Sequence, residues 1–179
     1  MNRGFAAIGL DHPKCPANVG GAMRAAGCYG ASIVAMAGHR FGKAPTDVQK
    51  QWRLTPVIQT DDLRLVVPYD CVPVAVDLIP GATALQDYQH PERAFYIFGP
   101  EDGTLGERIT SWCRDVVYVP MDAGCMNLAA TVNVVLYDRM AKARTRARHE
   151  RANARLTGPK RPEQEYANGT KHPGRFWSG

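Results

Sequence analysis

Three short segments of this 179-residue chain carry side chains that can do chemistry together. The first holds Asn18, Gly20, Gly21 and Arg24; the second, FGPEDGTL, holds Gly99 and Glu101; the third holds Cys125, Asn127 and Leu128. Each follows an apolar run that reads as a strand, and in an open parallel sheet ligands bind at the carboxyl ends of strands. One crevice can therefore collect two amides, a carboxylate and a guanidinium. Arg24 offers a fixed charge and a planar donor fork suited to a phosphodiester, and long helical side chains lean toward the helix N-terminus, which turns it toward that crevice. Gly20 and Gly21 read as room for a backbone or nucleotide to come close, and Gly99 as a strand end whose main chain stays open to a flat ligand. Taken singly, each segment also has an ordinary reading. Asn18 and Asn127 stand where helix N-caps stand, and FGPEDG has the composition of a tight turn.

The elements that must position these residues follow from the pattern. Residues 4–10 read as a short apolar strand, and the loop DHPKCPAN ends in Asn18 as the cap of a helix. A second strand is expected at 31–37, then a Gly/Pro-interrupted loop, GHRFGKAPTDVQ, and a short helical or irregular stretch ending at 63–66. Strands follow at 72–78 and 94–99, with a helix near 84–87 between them. The continuous aromatic and β-branched run of 94–99 indicates burial on both faces. A short helix over 107–112, a strand at 116–121 and a helix from 128 to about 155 complete the series. Strands alternating with helices predict an α/β fold, a mostly parallel sheet with helices on both faces.

With 45% hydrophobic residues the chain suffices for one sizeable core. One domain over 1–141 is expected, then a basic extension over 142–179 into which the last helix continues to about 155. The formal charge of +5 conceals an asymmetry. Residues 1–138 carry eleven Lys/Arg against fourteen Asp/Glu, and residues 139–179 carry eleven against three, so the core is −3 and the tail +8. Such a segregated basic segment suits a polyanion, and nucleic acid fits better than membrane because the tail lacks a sustained apolar face. Arg144, Arg146, Arg148 and Arg151 are its candidate RNA contacts; a merely solvated tail has the same composition. The Pro/Gly-rich end, GPKRPEQEYANGTKHPGRFWSG, argues against further packed structure. No signal-like or membrane-spanning run appears, so a cytoplasmic protein is expected. Five cysteines without a close pair read as reduced thiols, and the five histidines are scattered, so no metal is expected.

In this order and spacing the three segments resemble the SPOUT superfamily of RNA methyltransferases, in its SpoU/TrmH class of ribose 2′-O-methyltransferases. The class shows N-x-G-x-x-x-R-x-A, matched by Asn18, Gly20, Arg24 and Ala26. Its F-G-x-E-x-x-G-L is met by Phe98, Gly99 and Glu101, with Gly103 one position early before Thr104 and Leu105. Its I-P-M, followed shortly by S-L-N, resembles Val119, Pro120, Met121 and then Cys125, Met126, Asn127, with cysteine in place of serine. The likeness covers roughly residues 4–140, and three ordered matches are more specific than any one.

The resemblance implies a deep C-terminal trefoil knot and S-adenosyl-L-methionine (SAM) as cofactor. It also implies a homodimer whose first-motif helices pack near each other, so that each site borrows residues across the interface. The implied reaction is methyl transfer to a ribose 2′-hydroxyl in RNA, with tRNA preferred over rRNA because so short a chain is similar to enzymes of the wobble ribose. Arg24 is then the residue that contacts phosphate and ribose and helps activate the hydroxyl, while Asn18, Glu101 and Asn127 hold the loops. SAM is expected against Leu78, Gly99, Val119, Met121, Cys125 and Leu128. Base methylation, done by another branch of the superfamily, is disfavoured by Asn18 and Arg24. A non-catalytic RNA-binding module relying on the basic tail remains a competing reading.

Overall fold

The computed structural model describes residues 4–38 and 51–157. Its strands are β1 (Phe5–Asp11), β2 (Ile33–Ala37), β3 (Val57–Thr60), β4 (Val72–Val76), β5 (Thr83–Ala84), β6 (Arg93–Phe98) and β7 (Asp115–Tyr118). They form one sheet in the order β3-β2-β1-β6-β4-β7-β5, every pair parallel. A strand in the middle of such a sheet is covered on both faces, which is why β6 reads as an unbroken apolar run: Ala94 to Phe98 are all buried. From β1 the chain builds β2 and β3 to one side and then crosses to build the rest on the other. The strand order therefore reverses between β1 and β6, and the crevice at their carboxyl ends is the topological switch point of the sheet.

Both long helices, α1 (Pro16–Tyr29) and α3 (Leu128–Thr157), lie on one face. Val19, Ala22, Met23 and Ala26 of α1 share a core with Val132, Val135 and Leu136 of α3 and with Ile8, Leu10, Tyr96 and Phe98 of the sheet. On the other face Leu63, Leu105 and Ile109 cover Ala7, Phe95 and Ile97, supplied by a 3-10 turn (Leu63–Val66), the loop after β6 and the single-turn helix α2 (Glu107–Thr110). Among the described residues the expected helices on both faces are thus unequal, with both long helices on one face and only single turns on the other.

Several expectations are corrected locally. Helix α1 starts at Pro16, two residues before Asn18, and its N-cap is Cys15 without a side-chain bond. Proline suits that start, since its fixed φ is helical and its missing donor would be unpaired there anyway. Gly21 serves helix packing and not a nucleotide: a Cβ there would lie 2.6 Å from the Cβ of Ala129 in α3. The half-exposed edge strand β3 was not foreseen, and the helix expected at 84–87 is the short β5 followed by a 3-10 turn (Leu85–Asp87). The last strand, β7, ends at Tyr118, so Val119, Pro120 and Met121 lie past the sheet. Helix α3 runs unbroken past 141/142 to Thr157, in line with the expected continuation to about 155. Most of the GHRFGKAPTDVQ loop and the tail from 158 lie outside the described residues.

Where α3 leaves the core it is pinned by a buried polar cluster. Tyr96 Oη lies 2.7 Å from His90 Nδ1, His90 Nε2 lies 2.8 Å from Asp138 Oδ2, and Lys142 pairs with Asp138 at 2.7 Å. Lys142 Nζ also donates to the carbonyls of Leu85 and Tyr88 at 2.6 and 3.1 Å. A neutral imidazole with its proton on Nε2 satisfies both of its ring contacts. Burial holds the His90 pKa below its ordinary value and outweighs the upward pull of Asp138. Among the described residues no helix is long and apolar enough to cross a membrane.

Candidate active site

Glu101 lies in the turn past β6, and its carboxylate gathers the start of α1. It accepts from the backbone N–H of Lys14 at 2.8 Å and of Cys15 at 3.1 Å, and from Asn18 Nδ2 at 2.7 Å. Lys14 Nζ pairs with the neighbouring Asp102. Asn18, only 9% exposed, accepts at Oδ1 from Asn127 Nδ2 at 2.7 Å. Asn127 Oδ1 in turn accepts from the backbone N–H of Ala129 at 2.9 Å and of Ala130 at 3.3 Å, which makes it the cap of α3. The capping and functional readings of Asn127 therefore coincide: one end of its amide caps, the other end links.

This chain of bonds leaves no freedom in the Asn18 amide, whose nitrogen must face the carboxylate and whose oxygen must face Asn127. It also sets the charge of Glu101. Burial alone would raise the carboxyl pKa, but the bonds from Asn18, Lys14 and Cys15 outweigh it and hold the group below the usual carboxylate value. Beside the network lies a cavity of about 420 Å³. Lys14, Cys15, Asn18 and Glu101 form one wall, and Cys125, Met126, Asn127 and Leu128 the other. Its size and its mixture of apolar and fixed polar groups suit a small-molecule ligand.

Residues 6–137 match the family model of the SpoU rRNA Methylase family. The chain belongs to that family. No curated protein sequence matches it, but solved structures do. The SpoU methyltransferase AviRb from Streptomyces viridochromogenes, in complex with AdoMet, has a TM-score of 0.70 at 21% identity over 81% of this chain and 63% of its own. A structure addressing the 2-OH methylation of C/U34 on tRNA has a TM-score of 0.67 at 20% identity, over 79% of this chain and 99% of its own. The A. aeolicus TrmH/SpoU tRNA modifying enzyme has a TM-score of 0.70 at 13% identity, over 81% and 78%. At these identities the likeness shows the fold. This SpoU-family chain spans less than two thirds of the length of AviRb.

Within the SpoU fold the sequence-predicted residues separate into groups. Asn18, Glu101, Asn127, Cys125 and Leu128 are brought together around the cavity. Leu78 and Met121 stand past the carboxyl ends of β4 and β7, 61% and 37% exposed, outside the cavity wall. Gly99 and Val119 are half-buried there, and Val119 packs on the core. Arg24 does not overlook the cavity of its own chain. It is exposed on α1, is absent from the cavity wall, and has no partner among the described residues. Arg144, Arg146, Arg148 and Arg151 are exposed along α3.

Sequence reasoning missed Asp77, which ties the loops after β4 and β6 by accepting from the backbone N–H of Leu78 at 2.8 Å and of Leu105 at 2.7 Å. A carboxylate closing an otherwise apolar strand was the available signal. The roles of Lys14 and Cys15 were invisible because they act through the main chain. Among the described residues no three His, Cys, Asp or Glu side chains are placed to share a metal ion.

Proposed function

We propose that this SpoU-family protein transfers a methyl group from SAM to a ribose 2′-hydroxyl in RNA, with tRNA preferred over rRNA, as a cytoplasmic homodimer. The observation that carries the reading is the Glu101–Asn18–Asn127 chain of bonds. It joins one residue from each of the three motifs and borders a cavity of ligand size. Bound SAM supplies the electrophilic methyl. Methyl transfer to a hydroxyl gains most from holding the two in line, and a rigid set of loop ends with no amide free to turn does that.

The surroundings fit SAM on this chain's own observations. Leu78 and Met121 expose apolar side chains where an adenosine face would cover them. A Cβ on Gly99 would clear Leu105 by 3.4 Å, so crowding within the chain does not account for the glycine, whereas the approach of a flat ligand does. The reading carries with it the trefoil knot, with the loop over 119–128 against SAM. Arg24, exposed and away from the cavity of its own chain, is read as reaching the partner's cavity, which makes the dimer the catalytic unit. Its guanidinium binds the phosphate and ribose, and the arginines of α3 add backbone contacts.

Support for tRNA comes from the structure addressing the 2-OH methylation of C/U34 on tRNA, which is matched over 99% of its length. Ribose-methylation mapping of total RNA from cells with and without the gene tests the reading. One 2′-O-methyl group lost from a tRNA is expected; a loss confined to rRNA would move the substrate, and an unchanged map would defeat the proposal.

A further inference from the structure

The carboxyl end of β1 holds a second cluster of charged side chains, separate from the Glu101 network. Asp11, the last residue of β1, is 4% exposed, and Arg108 Nη2 donates to both of its oxygens at 2.7 Å. A buried carboxylate is costly without such a partner. The next residue, His12, adopts φ 48°, a left-handed conformation uncommon outside glycine. Its backbone N–H donates to the Ala37 carbonyl at 3.1 Å, and its Nδ1 lies 3.0 Å from Asp11 Oδ1. Gly38, itself at φ 93°, makes room for the ring: a Cβ there would lie 3.0 Å from His12 Cδ2.

Stability does not account for this arrangement. The His12 side chain remains 54% exposed, so it buries little, and a left-handed non-glycine residue costs free energy. In its neutral form the ring donates from Nδ1 to the carboxylate, which leaves Nε2 as an acceptor without a partner among the described residues. His12 follows the carboxyl end of β1, one of the two strands that flank the switch point, and stands two residues before Lys14, whose N–H Glu101 holds.

We propose that His12 is a substrate-contacting residue, whose Nε2 accepts a hydrogen bond from a donor of the RNA, a 2′-hydroxyl or an exocyclic base amine, on the β1 flank of the cleft. The inference rests on the RNA methyltransferase reading above. The test compares His12→Gly, which relieves the left-handed strain, with His12→Gln, which keeps an acceptor near the position of Nε2. Labelled methyl transfer from SAM to total RNA of cells lacking the gene is measured beside SAM calorimetry and thermal melting.

His12→Gly is expected to raise the KM for RNA by about fivefold or more. Its SAM affinity should be unchanged and its melting temperature equal to or above wild type, and His12→Gln should recover part of the KM. A wild-type KM in His12→Gly overturns the proposal. So does a raised KM accompanied by a lowered melting temperature and weakened SAM binding, which is how a structural residue behaves. With 2′-deoxy nucleotides around the modified position, disappearance of the His12 effect identifies a hydroxyl donor and persistence identifies a base amine. Should wild type transfer no methyl to RNA, the reading of the reaction fails on its own account. Filter binding of the same RNA then decides His12, with equal affinities for wild type and His12→Gly overturning the contact.

Discussion

Asn127 donates from Nδ2 to Asn18 Oδ1 at 2.7 Å across 109 residues of sequence, so the cap of α3 and the first turn of α1 share one hydrogen bond. Capping and linking can be separated by substitution. Asn127→Asp keeps an oxygen to cap Ala129 and Ala130 but sets a carboxylate against an amide oxygen, whereas Asn127→Ala loses both. The Ala variant is expected to lose about 1 kcal/mol more stability than a capped helix would. Asp should lose less stability yet at least tenfold in methyl transfer. Thermal melting and single-turnover transfer check this, and equal activity in Asp and wild type would remove the link from the mechanism.

Glu101 gives the network an acid limit. Its folded pKa is depressed, because hydrogen bonds from Asn18, Lys14 and Cys15 outweigh burial. A depressed carboxylate contributes stability above its unfolded value of about 4.3 and loses it as pH falls through the folded value. Urea midpoints between about pH 5 and pH 3 should therefore fall more steeply for wild type than for Glu101→Gln, which cannot ionise. At neutral pH the Gln variant should be the less active, since its amide cannot accept from all three donors.

His90 predicts a second, milder sensitivity of the opposite chemical type. Its folded pKa is lowered by burial, so below about pH 6.5 the unfolded ring takes up a proton that the folded ring resists. Stability is full above that pH and declines on acidification until the folded ring protonates. Denaturation midpoints at pH 7.5 and 5.5 should differ for wild type and converge for His90→Gln, although that variant is weaker at both. An equal pH dependence in the two proteins would place the acid sensitivity elsewhere.

Arg24 is exposed, so Arg24→Ala should leave the melting temperature and SAM binding unchanged while abolishing methylation. Sharing across a dimer adds a sharper expectation. Mixing inactive Arg24→Ala with the strongly weakened Asn127→Asp protomers restores one intact site per heterodimer, hence about a quarter of wild-type activity after random exchange. No recovery would mean that Arg24 serves its own chain.

Arg144, Arg148 and Arg151 are spaced by four and three residues and share one face of α3, while Arg146 lies on another and pairs with Glu150 at 3.8 Å. Replacing all three of that face with Gln should reduce the slope of the salt dependence of RNA binding by about 2 to 3, at roughly 0.7 to 0.9 per phosphate contact. Arg146→Gln should change it little. Equal slopes for the triple variant and wild type would exclude that face.

The sequence by itself determined the elements whose burial is uniform and the residues whose order is diagnostic. β6 and β1 were legible because a strand covered on both faces must be apolar throughout, and the three motif segments because of their order and spacing after apolar runs. The edge strand β3 was not, since four residues with half-exposed side chains carry too weak a pattern. Only the tertiary structure decided what the motif residues do. A cap is a local event that Asn18 and Asn127 could both promise in sequence. Which one caps depends on where Pro16 starts α1 and on the parallel sheet bringing Glu101 and Asn127 to opposite ends of one amide. Gly21 looked like space for a ligand until Ala129 filled it, and Arg24 looked like part of its own cleft until α1 turned it outward. Residue type names the chemistry available, but which partner satisfies it is set by distances between segments far apart in the chain.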